Sequence, residues 1–126
     1  MATKPKTIFK LVPSDVWRKA EAEGNFTGAG VDIKDGFIHF STQEQVQRTA
    51  HRFFKGQADV LLVAINCEPI SEKLRWEQSA SGGIFPHLYE PLDLSLVMQV
   101  TPLPLLPDGS GAHDLSQCFL QATTTS

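Results

Sequence analysis

The sequence predicts an α+β domain with about five strands and two helices. Two early segments carry apolar residues at helical spacing behind small polar residues that are typical of helix caps. A continuous apolar run at residues 60–65 is typical of a strand buried on both faces. Alternating apolar and polar residues at 92–100 indicate a half-buried strand. Because both helices come early, the order is that of an α+β domain.

The first forty residues are predicted to hold two strands, one helix and a loop. Residues 8–12 form a strand that a proline ends, and residues 14–24 form a helix with its N-cap at Ser14-Asp15. Residues 25–35 are predicted to be a loop, either an ordinary surface loop or a mobile flap, with a short strand around Val31 as an alternative. Residues 37–40 form the second strand.

The second helix begins with a capping signal. Ser41 and Thr42 lie three residues before Glu44 and Gln45, which is the spacing of a capping box. Apolar residues at i, i+4, i+7 and i+8 from Val46 give this helix one apolar face, and a glycine ends it.

The second half of the chain is predicted to be mainly strands. Residues 60–65, 74–78 and 92–100 are the strands, whereas residues 83–89 are predicted to be a rigid aromatic loop. The residues predicted to share the buried face of the last strand are Leu92, Leu94, Leu96, Met98 and Val100.

The composition fits a single domain with a proper core. We predict that residues 1–107 form this domain and that residues 108–126 form a flexible or short-helical tail. The net charge of −3, without a basic run, argues against a dedicated nucleic-acid binder. Isolated Cys67 and Cys118 suit a reducing compartment, and no apolar run is long enough to span a bilayer. We expect a cytoplasmic monomer that binds neither nucleic acid nor membrane.

The first candidate motif precedes the second helix and holds a histidine among apolar residues. Because Ile38 and Phe40 share the core face of a strand, His39 and Ser41 point the opposite way. The free N–H groups at the start of the following helix favour an anion or a phosphate. His39, Ser41 and Thr42 are therefore candidate ligand-binding residues. The alternative is a half-buried sheet histidine beside an ordinary helix cap.

The second candidate motif is the predicted loop at residues 83–89. Two glycines precede it, and a proline fixes the backbone before His87. Phe85, His87 and Tyr89 share one side if the segment is extended. Tyr89 could then stack on a planar base or donate its hydroxyl. The alternative is a packing loop that fills the core.

Trp76 and Glu77 lie just upstream of the second motif. Glu77 is the best candidate carboxylate because its aromatic neighbour can partly desolvate it, while an ion pair with Arg75 is the structural alternative. His39, His87 and Glu77 would also make a two-histidine, one-carboxylate metal site. No closely spaced ligand pair supports that site, so no metal is expected.

Together these motifs resemble the bacterial family called domain of unknown function 952. The likeness covers about residues 8–103 and is carried by Phe-Ile-His-Phe-Ser-Thr with Gln45, Asp59-Val-Leu-Leu, Trp76-Glu77 and Phe-Pro-His-Leu-Tyr. The family is similar to a compact ADP-ribosyltransferase-like fold, which implies a small split antiparallel β sheet around an NAD cleft. The His-x-Ser stretch is also similar to a strand motif of RNA 2′-phosphotransferases, which use NAD.

This resemblance implies that NAD or a related nucleotide is the ligand or substrate. In an active enzyme, Glu77 would steady an oxocarbenium-like transition state as the N-glycosidic bond breaks, and His39 with Ser41 would orient the ribose. The remaining candidate binding residues are Thr42, Trp76, His87 and Tyr89. Two rival functions stay open: a non-catalytic module that binds a small ligand or peptide in the same pocket, and a metal-dependent hydrolase.

Overall fold

The computed structural model describes residues 5–79, 82–116 and 118–119. Within them the chain forms eight strands and three α-helices. The strands are Thr7–Pro13 (β1), Asn25–Phe26 (β2), Ile38–His39 (β3), Val60–Asn66 (β4), Leu74–Gln78 (β5), Ile84–Leu88 (β6), Leu92–Asp93 (β7) and Val97–Pro102 (β8). The helices are Ser14–Glu23 (α1), Val31–Asp35 (α2) and Val46–Phe54 (α3).

The described strands form three small antiparallel sheets. In the first, β4 lies between β1 and β8, and in the second, β6 lies between β3 and β5. The third sheet pairs β2 with β7. A bridge between Phe9 and Ser41, with a 2.8 Å hydrogen bond in each direction, joins the first sheet to the end of β3. The predicted α+β class with a small, divided antiparallel sheet is therefore confirmed.

Strand β4 separates two apolar cores, which explains its continuous apolar sequence. Leu61, Val63 and Ile65 pack into the first core, between the sheets and α1. Val60 and Leu62 point the other way, into a second core beneath α3. Because both faces are covered by apolar side chains, neither face can be polar. The prediction of a strand buried on both faces is confirmed.

Both predicted helices are present, but their caps differ. Helix α1 has Pro13 at its N-cap without a side-chain cap bond, so the predicted Ser14-Asp15 cap is wrong, and Gly24 ends the helix in the left-handed conformation at φ 88°. Before α3, Thr42 and Gln45 form the predicted capping box around a short 3₁₀ turn. The Thr42 N–H donates to Oε1 of Gln45 at 3.0 Å.

Residues 25–35 are not the loop that the sequence predicts. They contain β2 and the short helix α2, and the helix replaces the alternative of a strand around Val31. The reason is Asp32, whose Oδ2 accepts the Ala29 N–H at 3.0 Å inside the same segment. The segment folds tightly enough that a Cβ on Gly28 would lie 2.8 Å from the Asp32 Cβ. Only glycine fits there.

Residues 83–89 are likewise a strand, β6, rather than a loop. Pro86 lies inside this central strand, a position that usually needs an N–H donor. Its carbonyl accepts the Phe40 N–H at 3.0 Å, so its nitrogen also points to the β3 side. Because β3 ends at His39, the N–H that Pro86 lacks falls where the regular hydrogen bonding between β3 and β6 has ended.

The predicted strand at 92–100 is interrupted, and its buried face changes. Asp93 accepts the Ser95 N–H at 2.9 Å and opens a 3₁₀ turn at Leu94–Leu96. This turn shifts the alternation, so Met98 and Val100 are exposed although Leu92 is buried. The prediction that these residues share one buried face is wrong, because a cap bond from a polar residue outweighs the period-two pattern.

The described part of the predicted tail lies against the second core. Leu105 bridges to His113, Cys118 is buried, and the Phe119 ring meets the Phe9 ring edge-on with centroids 5.3 Å apart. Residues 117 and 120–126 of the predicted tail lie outside the described residues. In the part of the chain that is described, no helix has the length and apolar character needed to cross a membrane.

Leu92 and Met98 provide a direct test of the shifted alternation. We expect Leu92→Ala to lower the free energy of unfolding by about 2–5 kcal/mol, because it empties a core position. Met98 is 57% exposed, so Met98→Ala should change that free energy by less than about 0.5 kcal/mol. Urea denaturation of both variants measures the difference. Equal losses would show that both side chains share the buried face.

Candidate functional site

The two histidine motifs meet on one face of the second sheet. His39 on β3 lies directly opposite His87 on β6, and their ring centroids are 5.0 Å apart. Phe37 packs against both rings, with centroids 4.6 Å from His39 and 4.4 Å from His87. Its ring also contacts Tyr89 at 4.8 Å. Strand pairing therefore brings together aromatic and imidazole rings that are about fifty residues apart in the sequence.

His39 is held by Asp32, a carboxylate that the sequence analysis did not select. Oδ1 of Asp32 accepts the His39 backbone N–H at 3.1 Å and lies 2.6 Å from Nδ1 of the ring. Oδ2 accepts a hydrogen bond from Nζ of Lys10 at 2.6 Å and another from the Ala29 N–H at 3.0 Å. One buried carboxylate thus connects β1, the α2 segment and β3.

The Lys10–Asp32 ion pair is almost fully enclosed, with side-chain exposures of 9% and 0%. Burial lowers the pKa of Lys10, although the charge of Asp32 and the hydrogen bond to it partly oppose this. Burial alone would raise the pKa of Asp32, but the hydrogen bond from His39 and the charge of Lys10 outweigh it. The pKa of Asp32 is therefore lowered, and the carboxylate stays ionised at neutral pH.

Both ring nitrogens of His39 face carboxylates. Nδ1 contacts Asp32, and Nε2 lies 3.0 Å from Oδ2 of Asp35, which is 42% exposed and four residues earlier in the chain. A carboxylate only accepts hydrogen bonds, so both contacts form together only when both nitrogens carry a proton. The arrangement favours an imidazolium that is clamped between two acids.

His87 has a single carboxylate partner. Its Nδ1 lies 2.8 Å from Oε1 of Glu77, and the Tyr89 hydroxyl donates to the same oxygen at 2.7 Å. The bond from His87, followed by that from Tyr89, lowers the pKa of Glu77, and the same contact raises the pKa of Tyr89. The Arg75 guanidinium lies over the Tyr89 ring at 5.1 Å.

A cavity of about 620 Å³ opens against the histidines. The α2 segment and α3 also line it, so it is bounded by both helical segments and the sheet. The residues of α3 in its wall include Arg48, Thr49, Arg52 and Phe53. Cavities of roughly 300–1,000 Å³ with a few polar groups are typical of small-molecule sites.

The structure brings together most, but not all, of the predicted site residues. His39, Ser41 and His87 line the cavity, and Ser41 Oγ lies 3.0 Å from the Thr49 hydroxyl. Glu77 and Tyr89 adjoin it but are not part of its wall. Glu77 adjoins the cavity through His87, and Tyr89 adjoins it through Glu77 and through its ring contact with Phe37, which lines the cavity.

Trp76 and Thr42 are not on this wall. Trp76 lies opposite Pro86 on the other face of the sheet and packs against the first core. Strand alternation sends its side chain away from that of its neighbour Glu77, so Trp76 does not line the cavity. Thr42 serves as the helix cap and does not line the cavity.

Several residues of the site were missed by the sequence analysis. Lys10 carried a signal, since it is a lone charge within an apolar strand. Asp35 and His39 are spaced i, i+4, as are Arg48 and Arg52, but such spacing is common on any polar surface. Asp32 gave no local signal, because its partners come from three separate elements.

The described residues contain no group of three or more histidine, cysteine, aspartate or glutamate side chains placed to hold a metal ion. His39, His87 and Glu77 lie close to one another, but the imidazole nitrogens that are bonded point at carboxylates. The metal-hydrolase alternative therefore gains no support from the geometry.

The fold and site define a small α+β protein with a histidine-lined cavity. Residues 11–100 match a family described as protein of unknown function, DUF952, and the chain belongs to that family. The predicted family resemblance is thus confirmed. No curated protein matches the chain significantly.

Solved structures of CC0527 from Caulobacter crescentus match the chain closely. Its crystal structure has 43% sequence identity and a TM-score of 0.82, with coverage of 90% of this chain and 98% of that chain. Its solution NMR structure has 44% identity and a TM-score of 0.77, with coverage of 88% and 94%. Neither the family description nor these structures names an activity, so they give the ADP-ribosyltransferase-like expectation no support.

The enclosed Asp32 gives a prediction for the pH dependence of stability. Asp32→Asn leaves Lys10 buried without its counter-charge, so we expect the free energy of unfolding to fall by about 3 kcal/mol or more. The folded-state pKa of Asp32 lies below its ordinary value of 3.8. The contribution of the Asp32 carboxylate to the free energy of unfolding is therefore complete above pH 3.8 and is lost as the pH falls through the folded-state pKa. The difference between wild type and variant should therefore narrow below about pH 4.

Urea denaturation across this pH range measures the effect. Glu72→Gln removes an exposed carboxylate and serves as the control, with little change expected at any pH. A wild-type advantage over Asp32→Asn that stays constant through the acidic range would contradict the ion-pair account.

Proposed function

We propose that this protein binds NAD or a related nucleotide in the cavity beside His39 and His87, and that it cleaves or transfers at the N-glycosidic bond. The observation that carries the proposal is the cavity itself. A cavity of about 620 Å³ that is lined by two imidazole and two guanidinium groups suits a nucleotide in size and in chemistry.

The charges around the cavity support a ligand with separated charges. Arg48 and Arg52 contribute cationic groups from α3, whereas Asp32 and Asp35 contribute carboxylates beside His39. NAD carries an anionic diphosphate at its centre and a cationic nicotinamide ring at one end. Guanidinium groups bind phosphate oxygens in bidentate geometry. The diphosphate would lie near the arginines, and the cationic ring would lie near Asp35, because Asp32 is enclosed and already paired with Lys10.

Aromatic groups support the same orientation. Phe37 lies over both histidines, so a planar ring that enters beside it would meet a row of aromatic and imidazole side chains. His39 and Ser41 are neighbours on the cavity wall, where hydroxyl and imidazole groups can orient a ribose. Thr42 would act only through the helix cap.

Binding without turnover is the second candidate function. It is favoured by one observation: the Glu77 carboxylate is committed to His87 and Tyr89 and does not line the cavity. A carboxylate in that position cannot contact the ribose directly unless it moves. Release of nicotinamide from bound NAD is the measurement that separates the two candidates.

Arg52 gives a test of binding. Its guanidinium lies 5.4 Å from the Phe53 ring centroid at the cavity, so Arg52→Ala should weaken ADP-ribose binding about tenfold in calorimetric titration. Arg18 is an exposed residue of α1 that does not line the cavity, so Arg18→Ala should leave binding unchanged. Absence of binding heat from both NAD and ADP-ribose to the wild-type protein would refute the proposed function.

Asp35 gives a test with the opposite sign. Its carboxylate accepts the hydrogen bond from Nε2 of His39 at the cavity. There it repels an anionic ligand and competes with that ligand for the same N–H donor. Asp35→Asn should therefore tighten ADP-ribose binding about three- to tenfold, a modest effect because solvent screens the half-exposed charge. The gain should be smaller for NAD, whose cationic ring benefits from the carboxylate. Weaker ADP-ribose binding by the variant would mean that Asp35 is a ligand contact instead.

A further inference from the structure

His87 differs from His39 in what its second ring nitrogen meets. Its Nδ1 is bonded to Glu77, and its side chain is only 6% exposed. No described residue makes a hydrogen bond to Nε2. The fully enclosed side-chain nitrogens that lack a partner in the described chain are Trp17 Nε1 and His113 Nδ1. Nε2 of His87 is not among these enclosed nitrogens, and the residue itself lines the cavity.

Glu77 determines which nitrogen of His87 carries the proton. The carboxylate only accepts hydrogen bonds, so the 2.8 Å contact requires a proton on Nδ1. In the neutral ring, Nε2 is then an unprotonated acceptor on a residue that lines the cavity. The carboxylate also stabilises the cation that forms when Nε2 takes a proton. The pair has the geometry of a general base with its orienting acid.

Neighbouring groups hold this pair in place. The Tyr89 hydroxyl donates to the same Glu77 oxygen at 2.7 Å, which restricts the carboxylate, and Phe37 covers the imidazole face. The charged groups around His87 are Arg75 opposite it on β5, Glu77, and the His39 cluster on β3 with its two aspartates. Arg48 and Arg52 share the cavity wall.

We propose that His87 is the proton acceptor of the site and that Glu77 and Tyr89 are its positioning residues. This inference rests on the proposed function. Nε2 takes a proton from a water molecule, the water oxygen bonds to the ribose carbon of the nicotinamide ribose, and the carbon–nitrogen bond breaks. Its electron pair returns to the nicotinamide ring, which leaves as neutral nicotinamide. The proton passes from His87 to solvent, and the other product is ADP-ribose.

The roles of the two carboxylate–histidine pairs follow from this assignment. His39, with both nitrogens on carboxylates, is committed as a donor and orients the ligand. His87 retains one nitrogen for proton transfer. Glu77 therefore acts through His87 rather than on the ribose, which explains why it need not line the cavity.

The experiment compares wild type with His87→Asn, Glu77→Gln and Tyr89→Phe. Asparagine can still donate to Glu77 but has no acceptor at the position of Nε2. We expect NAD to bind each variant within about threefold of wild type, while nicotinamide release falls about 100-fold or more in His87→Asn. The fall should be at least about tenfold in Glu77→Gln, and smaller in Tyr89→Phe.

A second measurement does not depend on turnover. Long-range ¹⁵N–¹H correlation spectra of wild type, recorded on the alkaline side of neutrality, should show His87 protonated at Nδ1 and unprotonated at Nε2. Glu77→Gln should alter that pattern, whereas His51→Asn, which changes an exposed histidine of α3, should leave both the His87 signals and the rate unchanged.

The outcomes separate the two proposals. NAD that binds but releases no nicotinamide, a His87→Asn rate close to wild type, or a proton on Nε2 overturns the role of His87 and leaves nucleotide binding in place. No binding of NAD to wild type overturns the proposed function and, with it, this reaction.

Discussion

The buried carboxylate of Asp32 is the contact on which the candidate site depends. Its two oxygens accept bonds from Lys10 on β1, from the backbone at Ala29 and from both the backbone and the ring of His39. Taking a carboxylate and an ammonium out of water costs several kcal/mol for each ion, and four short contacts offset that cost. Such a cluster is stable only when all three elements are in place. The site therefore forms only as part of the complete fold.

Pairing of β3 with β6 then sets the chemistry of the cavity wall. The register places His39 opposite His87, and the pleat directs both rings to the same face. A slip of β3 by one residue would send the His39 ring to the core face, where Ile38 now packs. The apolar residues that alternate with the histidines thus fix the register. Core packing and site geometry are two consequences of one strand pairing.

The sequence predicted this face better than it predicted the elements around it. Alternation around His39 gave its direction correctly, and the apolar run of β4 identified a strand between two cores. The α2 segment and the turn before β8 were missed, because each depends on a single aspartate that bonds to nearby backbone. Such bonds leave no periodic signal. A periodic pattern predicts which residues are buried, whereas an isolated polar residue does not reveal which backbone group its side chain will bond to.

The same limit applies to the site, and it explains why the two motifs are chemically unequal. Both histidines lie within similar apolar stretches, yet the acids that bind them come from different places in the chain. His39 takes carboxylates from the preceding helical segment, seven and four residues away, on both nitrogens. His87 takes one carboxylate from the neighbouring strand, on Nδ1, and the residue lines the cavity. A histidine whose two ring nitrogens both donate to carboxylates can orient and attract a ligand, but it cannot accept a proton. The number of carboxylate partners, which only the folded chain determines, therefore leaves His87 with one ring nitrogen that meets no carboxylate and leaves His39 with none.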